Sequence, residues 1–261
     1  MPFLSVITIN FNDASGLNKT IESVVNQSFK DIEYIIIDGG SKDGSVSVIE
    51  EYKDKISYWV SEPDKGIFNA MNKGIKAATG EYLLFLNSGD FLNGTDSLND
   101  FIKHNDFQGD IIYGDYKFKE GEKIYPDYLT PLFFVRTSLP HQSTMFRREV
   151  FDKMGMYNEE YKIVSDRDFY IKCFLSNQFT FQHIRHSLTV FDLEGLSNNA
   201  QQEEKHKWEK EKMFQDHYGI YNEDYINMIG LQNQVNQLKK KTVSGIIKRI
   251  IIKIKKICHI R

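Results

Sequence analysis

Short, mostly apolar runs punctuate the first part of the chain. Phe3 to Phe11, Ile32 to Ile37 and Tyr82 to Leu86 are short, rich in β-branched or aromatic residues, and end in turn chemistry. Such runs predict strands covered on both faces. Ile56 to Val60 predicts a shorter one. Between them the apolar positions recur at helical spacing. Leu17, Ile21, Val24 and Val25 fall on one face of residues 17–27, and Ser45 to Tyr52 predicts a second helix. Ile67, Ala70, Met71, Gly74, Ile75 and Ala78 mark a third, with Gly80 as its expected stop. The order βαβαβαβ predicts an α/β fold with a mostly parallel central sheet flanked by helices. Ligands of open α/β sheets lie beyond the carboxyl ends of the strands. The residues just after each run are therefore the candidates for chemistry.

The second half is less regular. Residues 111–118, 144–147 and 179–191 read as strands, and residues 148–154 and 166–176 as helices. His183 and His186 lie three apart on a predicted strand, so they face opposite sides and should not chelate together. From Gln201 the chain turns charged and helical, and Trp208 with its neighbours reads as a solvated helix. The expected organisation is one domain over residues 1–220, with halves at 1–95 and 96–220, followed by a helical tail over 221–261.

The tail changes the picture. Lys239, Lys240, Lys241, Lys248, Arg249, Lys253, Lys255, Lys256 and Arg261 are basic, and no acidic residue lies among them. Val243, Ile246, Ile247, Ile250, Ile251, Ile254, Ile257 and Cys258 recur at helical spacing. A basic amphipathic helix suits an anionic membrane surface, where each basic residue contributes on the order of 1 kcal/mol. The alternative is a helix packed on its own domain or in a dimer. Elsewhere composition says less. A net charge of −3 offers nothing to nucleic acid. Two cysteines, Cys173 and Cys258, form neither a disulfide framework nor a zinc pattern, which fits a reducing cytoplasm. The N-terminus lacks the features of a signal peptide, and no stretch reaches the roughly 18 apolar residues of a membrane span.

Three carboxylates fall at predicted strand ends or in adjacent loops, each beside glycine: Asp38 with Gly39 and Gly40, Asp64 with Gly66, and Asp90 with Gly89. Aspartate accepts from a base N–H or a ribose hydroxyl, or holds a divalent metal by hard oxygen ligation. Each alone is commonly a turn or cap residue. The chain has neither a G-x-x-x-x-G-K-[ST] loop nor a G-x-G-x-x-G after its first strand, which argues against P-loop and dinucleotide enzymes. A nucleotide here would be gripped by side chains and a metal.

At these residues the chain resembles family 2 glycosyltransferases. The carriers are Ser5 to Asn12, Ser23 to Ser28, Ile36 to Ser45, Ser61 to Gly74 and Leu86-Asn87-Ser88-Gly89-Asp90. The resemblance spans about residues 3–195. It implies a GT-A fold, a nucleotide-sugar donor, a divalent metal (Mn²⁺ or Mg²⁺) and inversion at the anomeric carbon. Carried over, Asp38 contacts the donor's base, Asn10 and Asn12 flank its pocket, Asp64 is a second nucleotide-side carboxylate, Ser88 joins the donor set, and Asp90 reaches the metal. The family's D-x-D pattern is altered, with Asn87 at the first position and Gly89 in the middle.

The resemblance continues at Ile163-Val164-Ser165-Asp166-Arg167-Asp168, similar to the family's E-D motif with Ser165 in place of Glu. It implies Asp166 as catalytic base and leaves Asp168 as either a supporting group or a first-turn helix stabiliser. His141 and Gln142 resemble a motif near the acceptor, and Phe191 to Ser197 a loop closing over the donor. The expectation is an inverting transferase at the inner face of a bacterial membrane, peripheral on its cytoplasmic side. Its donor would be a UDP-sugar first, with GDP or dTDP as alternatives. Its acceptor would be a lipid-linked or polysaccharide saccharide. The rivals are a degenerate nucleotide-sugar-binding scaffold and a nucleotidyltransferase.

Overall fold

A computed structural model describes residues 1–191 and 203–241. The predicted donor-closing loop beyond Phe191 and the amphipathic tail beyond Lys241 lie outside the described residues. The chain divides into two compact units, Met1–Met213 and Phe214–Arg261.

The first unit is built on β1 (Leu4–Asn10), which is buried along its whole length. β2 (Ile32–Asp38) pairs parallel with it on one side, and β4 (Tyr82–Phe85) on the other. β3 (Tyr58–Ser61) extends the sheet beyond β2, again parallel. These strands are connected through α1 (Ala14–Val25), α2 (Ser45–Glu51) and α3 (Ile67–Ala77). α1 lays Leu17, Ile21 and Val24 into the core, as its apolar spacing requires. Apolar residues cover the sheet on both faces, which is why its central strands are mostly apolar rather than alternating.

Gly80 has a different role from the predicted helix stop. α3 is capped at Ala78. A Cβ on Gly80 would lie 2.6 Å from the Ser5 backbone nitrogen. The glycine is there because the chain passes directly against β1.

Beyond β4 the sheet changes character. β5 (Phe91–Leu92) follows at once, then α4 (Ser97–Ile102), β6 (Ile111–Phe118), the short β7 (Gly121–Lys123) and α5 (Pro131–Arg136). β8 (Thr144–Arg147) leads to α6 (Glu149–Met154), α7 (Ser165–Ser176) and β9 (Phe181–Val190). Among the described residues the sheet has nine strands, in the order β3-β2-β1-β4-β8-β6-β9-β5, with β7 on β6. β8 runs antiparallel to both β4 and β6, while β6 and β9 are parallel. It follows that β6 and β9 point the same way as β1 to β4. Their carboxyl ends share one edge.

β9 separates its two histidines as predicted. His183 is buried, with Nδ1 2.7 Å from Asp127 and Nε2 3.0 Å from Asp115, and its ring stacks on Tyr113 at 5.1 Å. His186 is instead 3.4 Å from the Ser97 hydroxyl.

α8 (Glu203–Tyr218) begins in the first unit and continues into the second. In the second unit, Tyr218 packs on Phe214 and on Tyr225, and α9 (Asn222–Lys241) buries no residue. Among the described residues no helix is long and apolar enough to cross a membrane.

Candidate active site

A row of polar side chains crosses the carboxyl edge of the sheet, one from each neighbouring strand. The Ser61 hydroxyl, ending β3, donates to Asp38 at 2.6 Å. Asn10, ending β1, donates to the other Asp38 oxygen at 2.7 Å. Ser88, beyond β4, donates to the Asn10 amide oxygen at 2.7 Å. Ser88 reaches that position because the chain stays in register after β4, its N–H bonding to Ile9.

Asp38 is the hub of this row. It is 0% exposed, and also accepts from the Gly40 and Ser41 backbone N–H groups and from the Ser41 hydroxyl. Burial alone would raise its pKa, but the hydrogen bonds from Ser41, Ser61 and Asn10 outweigh it and hold the carboxyl below its ordinary range. Asn12, at φ 51, receives the Lys42 N–H at 2.9 Å and gives its own N–H to Ser41. Asn10, Asn12, Asp38 and Ser88 are thus one hydrogen-bonded assembly.

Asp64 lies beside the Gly39 end of this assembly. It accepts from the Gly66 N–H at 2.7 Å, and a Cβ on Gly39 would lie 2.5 Å from it and 3.1 Å from the Phe11 ring. Phe11 is 63% exposed here, at the end of an otherwise buried strand. The sequence signal for it was present, an aromatic immediately after a strand terminus, but it read as part of the strand.

Asp90 ends a tight turn. Its N–H bonds to the Asn87 carbonyl at 2.9 Å, and Gly89 at φ +95 makes the bend. The Thr20 hydroxyl of α1 pins the turn, lying 2.8 Å from the Asp90 carbonyl and accepting from the Gly89 N–H at 3.1 Å. Asp90 is 9% exposed. Asn87 Oδ1 is buried with no hydrogen-bond partner. Among the described residues no three His, Cys, Asp or Glu converge as a ready metal cage. A carboxylate and an orphaned amide oxygen on one turn are hard oxygen donors. They fit a Mg²⁺-type ion that takes its remaining ligands from phosphate and water.

The other side of the site is made differently. Asp166 lies half-buried in the first turn of α7. Burial pushes its carboxyl up to about 6, against the opposing pull of the Arg167 backbone N–H and guanidinium. That guanidinium is itself buried and donates to the Phe134 carbonyl of α5 at 2.8 Å. Asp168 follows, half-buried on the same turn.

His141 opens a single 3-10 turn before β8. Its ring lies 5.1 Å from Phe85 and 6.5 Å from Tyr157, and neither ring nitrogen has a partner. Burial pushes it down to about 4, so it is neutral at pH 7. Gln142 is buried beside it. Tyr157 links the two sides, its ring 5.7 Å from Phe85 and 5.2 Å from Phe169 of α7. The Tyr157 hydroxyl and the Ser165 hydroxyl are likewise buried without partners.

Glu209 was missed by the sequence. The charged stretch around Trp208 read as solvated, and Trp208 is indeed 59% exposed, yet Glu209 is 0% exposed. It accepts the Lys162 and Ile163 backbone N–H groups, each at 2.9 Å.

A mixed sheet with parallel strands along one side, an aspartate-bearing turn after the fourth strand and helices on its flanks is the GT-A arrangement of a glycosyltransferase. The profile of Glycosyl transferase family 2 matches residues 5–158, and the chain belongs to that family. It is 32% identical over 208 residues to an uncharacterised glycosyltransferase of Mycobacterium tuberculosis, covering 77% of this chain and 79% of that protein. It is 30% identical over 209 residues to a PGL/p-HBAD biosynthesis glycosyltransferase of Mycobacterium bovis, covering 76% and 80%. Among solved structures, S. aureus TarS superposes with a TM-score of 0.62 at 22% identity, over 73% of this chain and 37% of that one. A truncated TarS in complex with UDP-GlcNAc gives 0.61 at 22% identity, over 74% and 59%. A Pyrobaculum calidifontis mannosyltransferase in complex with GDP-Man and Mn²⁺ gives 0.57 at 15% identity, over 74% and 58%.

Proposed function

We propose that this glycosyltransferase moves a sugar from a nucleotide-diphosphate donor to a hydroxyl of a lipid-linked or polysaccharide acceptor, with inversion. Phe11 and Asp64 meet the nucleoside at the mouth of the cleft. Asn10, Asn12, Asp38 and Ser88 keep that surface in one shape, so little ordering cost remains when the donor binds. Asp38, with both oxygens already engaged, acts by fixing the loop at Gly39 and Gly40. Asp90 and Asn87 face the diphosphate. A divalent cation bound there with the donor supplies positive charge for the departing diphosphate.

Asp166 takes the acceptor's hydroxyl proton as that oxygen bonds to the anomeric carbon and the bond to the diphosphate breaks. Asp168 and Gln142 border the acceptor, and His141 backs them as a neutral ring. The observation that carries this reading is the half-buried carboxyl at the start of α7, pushed up to about 6. A base needs such a value near working pH, with water restricted around it. TarS with UDP-GlcNAc and the mannosyltransferase with GDP-Man support a nucleotide-sugar donor, and the latter's Mn²⁺ supports a metal. A UDP-sugar is the first choice.

The test is a donor screen with Mn²⁺ or Mg²⁺, run beside calorimetry of UDP, GDP and dTDP with and without metal. Transfer from one donor, with binding strengthened by metal, supports the reading. Nucleotide binding without transfer, unaffected by metal, would favour a scaffold. Residues 242–261 are proposed to hold the enzyme on the anionic inner face of the plasma membrane. Their deletion should release it from anionic vesicles, as should high salt.

A further inference from the structure

We infer that Glu209 is a positioning residue for the base, acting as a latch from α8 on the segment that carries Asp166. The inference rests on Asp166 being the base. It lies outside the matched family residues 5–158.

The segment from Tyr157 to Ile163 leads straight into α7. Its beginning is tied to the donor half. Asn72 of α3 exchanges bonds with the Tyr157 backbone, donating to its carbonyl at 2.9 Å and accepting its N–H at 3.1 Å. Asn69 and Asn72 both donate to the Glu159 carboxylate at 2.9 Å. Its end is held differently. Lys162 Nζ donates to the carbonyls of Lys65 and Glu159, beside the Asp64 loop. The N–H groups of Lys162 and Ile163 go to the two oxygens of Glu209, one each.

A carboxyl group buried in α8 is costly unless its oxygens are satisfied. Here two adjacent backbone donors satisfy it, three and four residues ahead of Asp166. A single side chain taking two successive backbone N–H groups fixes the path of the peptide between them, and hence the direction in which the next turn starts. Lys212 of α8 touches the same stretch. Lys212 lies 5.6 Å over the Tyr161 ring and 3.8 Å from Glu160. The first ten residues of α8, 203–212, are charged or polar apart from Trp208, which is exposed, and its buried apolar residues Met213, Phe214 and Tyr218 come only after Glu209. Polar contacts with residues 160–163 hold the N-terminal part of α8, and in return Glu209 sets the entry to the base helix.

The role is separable from simple support. Asn69, Asn72 and Lys162 tie the segment to the donor loop, whereas Glu209 acts only at its last two peptides. Loosening Glu209 should misplace Asp166 relative to a bound acceptor while leaving the nucleotide cleft as it was.

The experiment uses the full chain with the donor found by the screen. Glu209→Gln keeps the size of the side chain but turns one acceptor into an NH₂ group facing a backbone N–H. It should lower kcat at least tenfold with donor KM within about twofold. Amide exchange at Lys162 and Ile163 should quicken at least tenfold, with exchange in β1 and β2 unchanged. Wild-type kcat, or kcat and KM failing together with β1 and β2 losing protection, overturns the inference. Lys212→Ala provides a milder perturbation that leaves no buried charge. It should change the same two readouts in the same direction by a smaller factor, and no change in either counts against the latch. Asp166→Asn in the same assays separates the two claims. If it turns over normally, the assignment of the base fails, and exchange at Lys162 and Ile163 in Glu209→Gln still reports on the latch alone.

Discussion

The two sides of the candidate site are stabilised in opposite ways. On the donor side, polar groups satisfy one another: Ser61, Asp38, Asn10 and Ser88 form a continuous hydrogen-bonded row across four neighbouring strands. On the base side, Asp166 is pushed up to about 6 by burial, and His141, Tyr157 and Ser165 carry buried polar atoms with no partner, among the rings of Phe85 and Phe169. The first arrangement fixes a shape. The second withholds solvation from the carboxyl that is proposed to take the acceptor's proton. Asn87 Oδ1 is the exception on the donor side, an unpaired acceptor on the turn that ends in Asp90.

The contrast fails most visibly if Asp166 is not the base. Asp166→Asn should reduce turnover by about 10²–10⁴-fold with donor binding by calorimetry unchanged. In the wild type, kcat/KM should rise with pH through an apparent value of about 6. The same substitution should raise stability. The folded protein resists ionising this carboxyl, so native stability falls as pH rises from the unfolded value towards 6 and stays lower above it. Removing the charge should recover on the order of 1–3 kcal/mol at pH 8, read by urea denaturation.

The donor side should respond in the reverse sense. Asn10→Ala leaves Asp38 and Ser88 each short of a partner in a buried row. It should cost about 2–4 kcal/mol of stability and weaken donor binding. A variant as stable as the wild type would mean that the row is not a structural unit.

His183 provides a charged counterpart away from the cleft. Burial lowers its pKa, but the hydrogen bonds it makes to Asp115 and Asp127 outweigh it and leave the value raised. Both ring nitrogens face carboxylates, so the cation is the form the site favours. The stabilisation, roughly 1–3 kcal/mol, is complete below the ordinary histidine value of about 6.5. It is lost as pH rises through the raised folded value. The gap in urea midpoint between wild type and His183→Gln should therefore shrink from pH 6 to pH 9.

The smallest effect is expected at Tyr157→Phe. Its hydroxyl has no partner to lose, so the melting temperature should stay the same or rise slightly. A large loss would show that the base side is as tightly hydrogen-bonded as the donor side.

Much of the donor half was legible in the residue order. β1, β2 and β4 are mostly apolar because both faces are covered; β1 ends at Asn10 and β2 at Asp38, while β4 ends at Phe85 and leads by way of Leu86 to Asn87 and Ser88. The helices between them follow from spacing of three and four. Asp13 caps α1 by accepting from the Gly16 N–H at 2.9 Å, a local contact. What the sequence could not carry is whatever depends on a distant partner. β5, only two residues long, exists because it pairs with β9 across the chain. β8 lies between β4 and β6 because an antiparallel strand can bridge two that point the same way. Asp38 reads like an open acceptor, and only its five donors make it a structural hub. Glu209 reads like a solvated charge, and only the approach of residues 162–163 buries it. Asp166 is named by its motif, but its raised value comes from the protein packed around it. Periodicity and caps are local and survive in one dimension, whereas burial and pairing are properties of neighbours that the chain acquires only on folding.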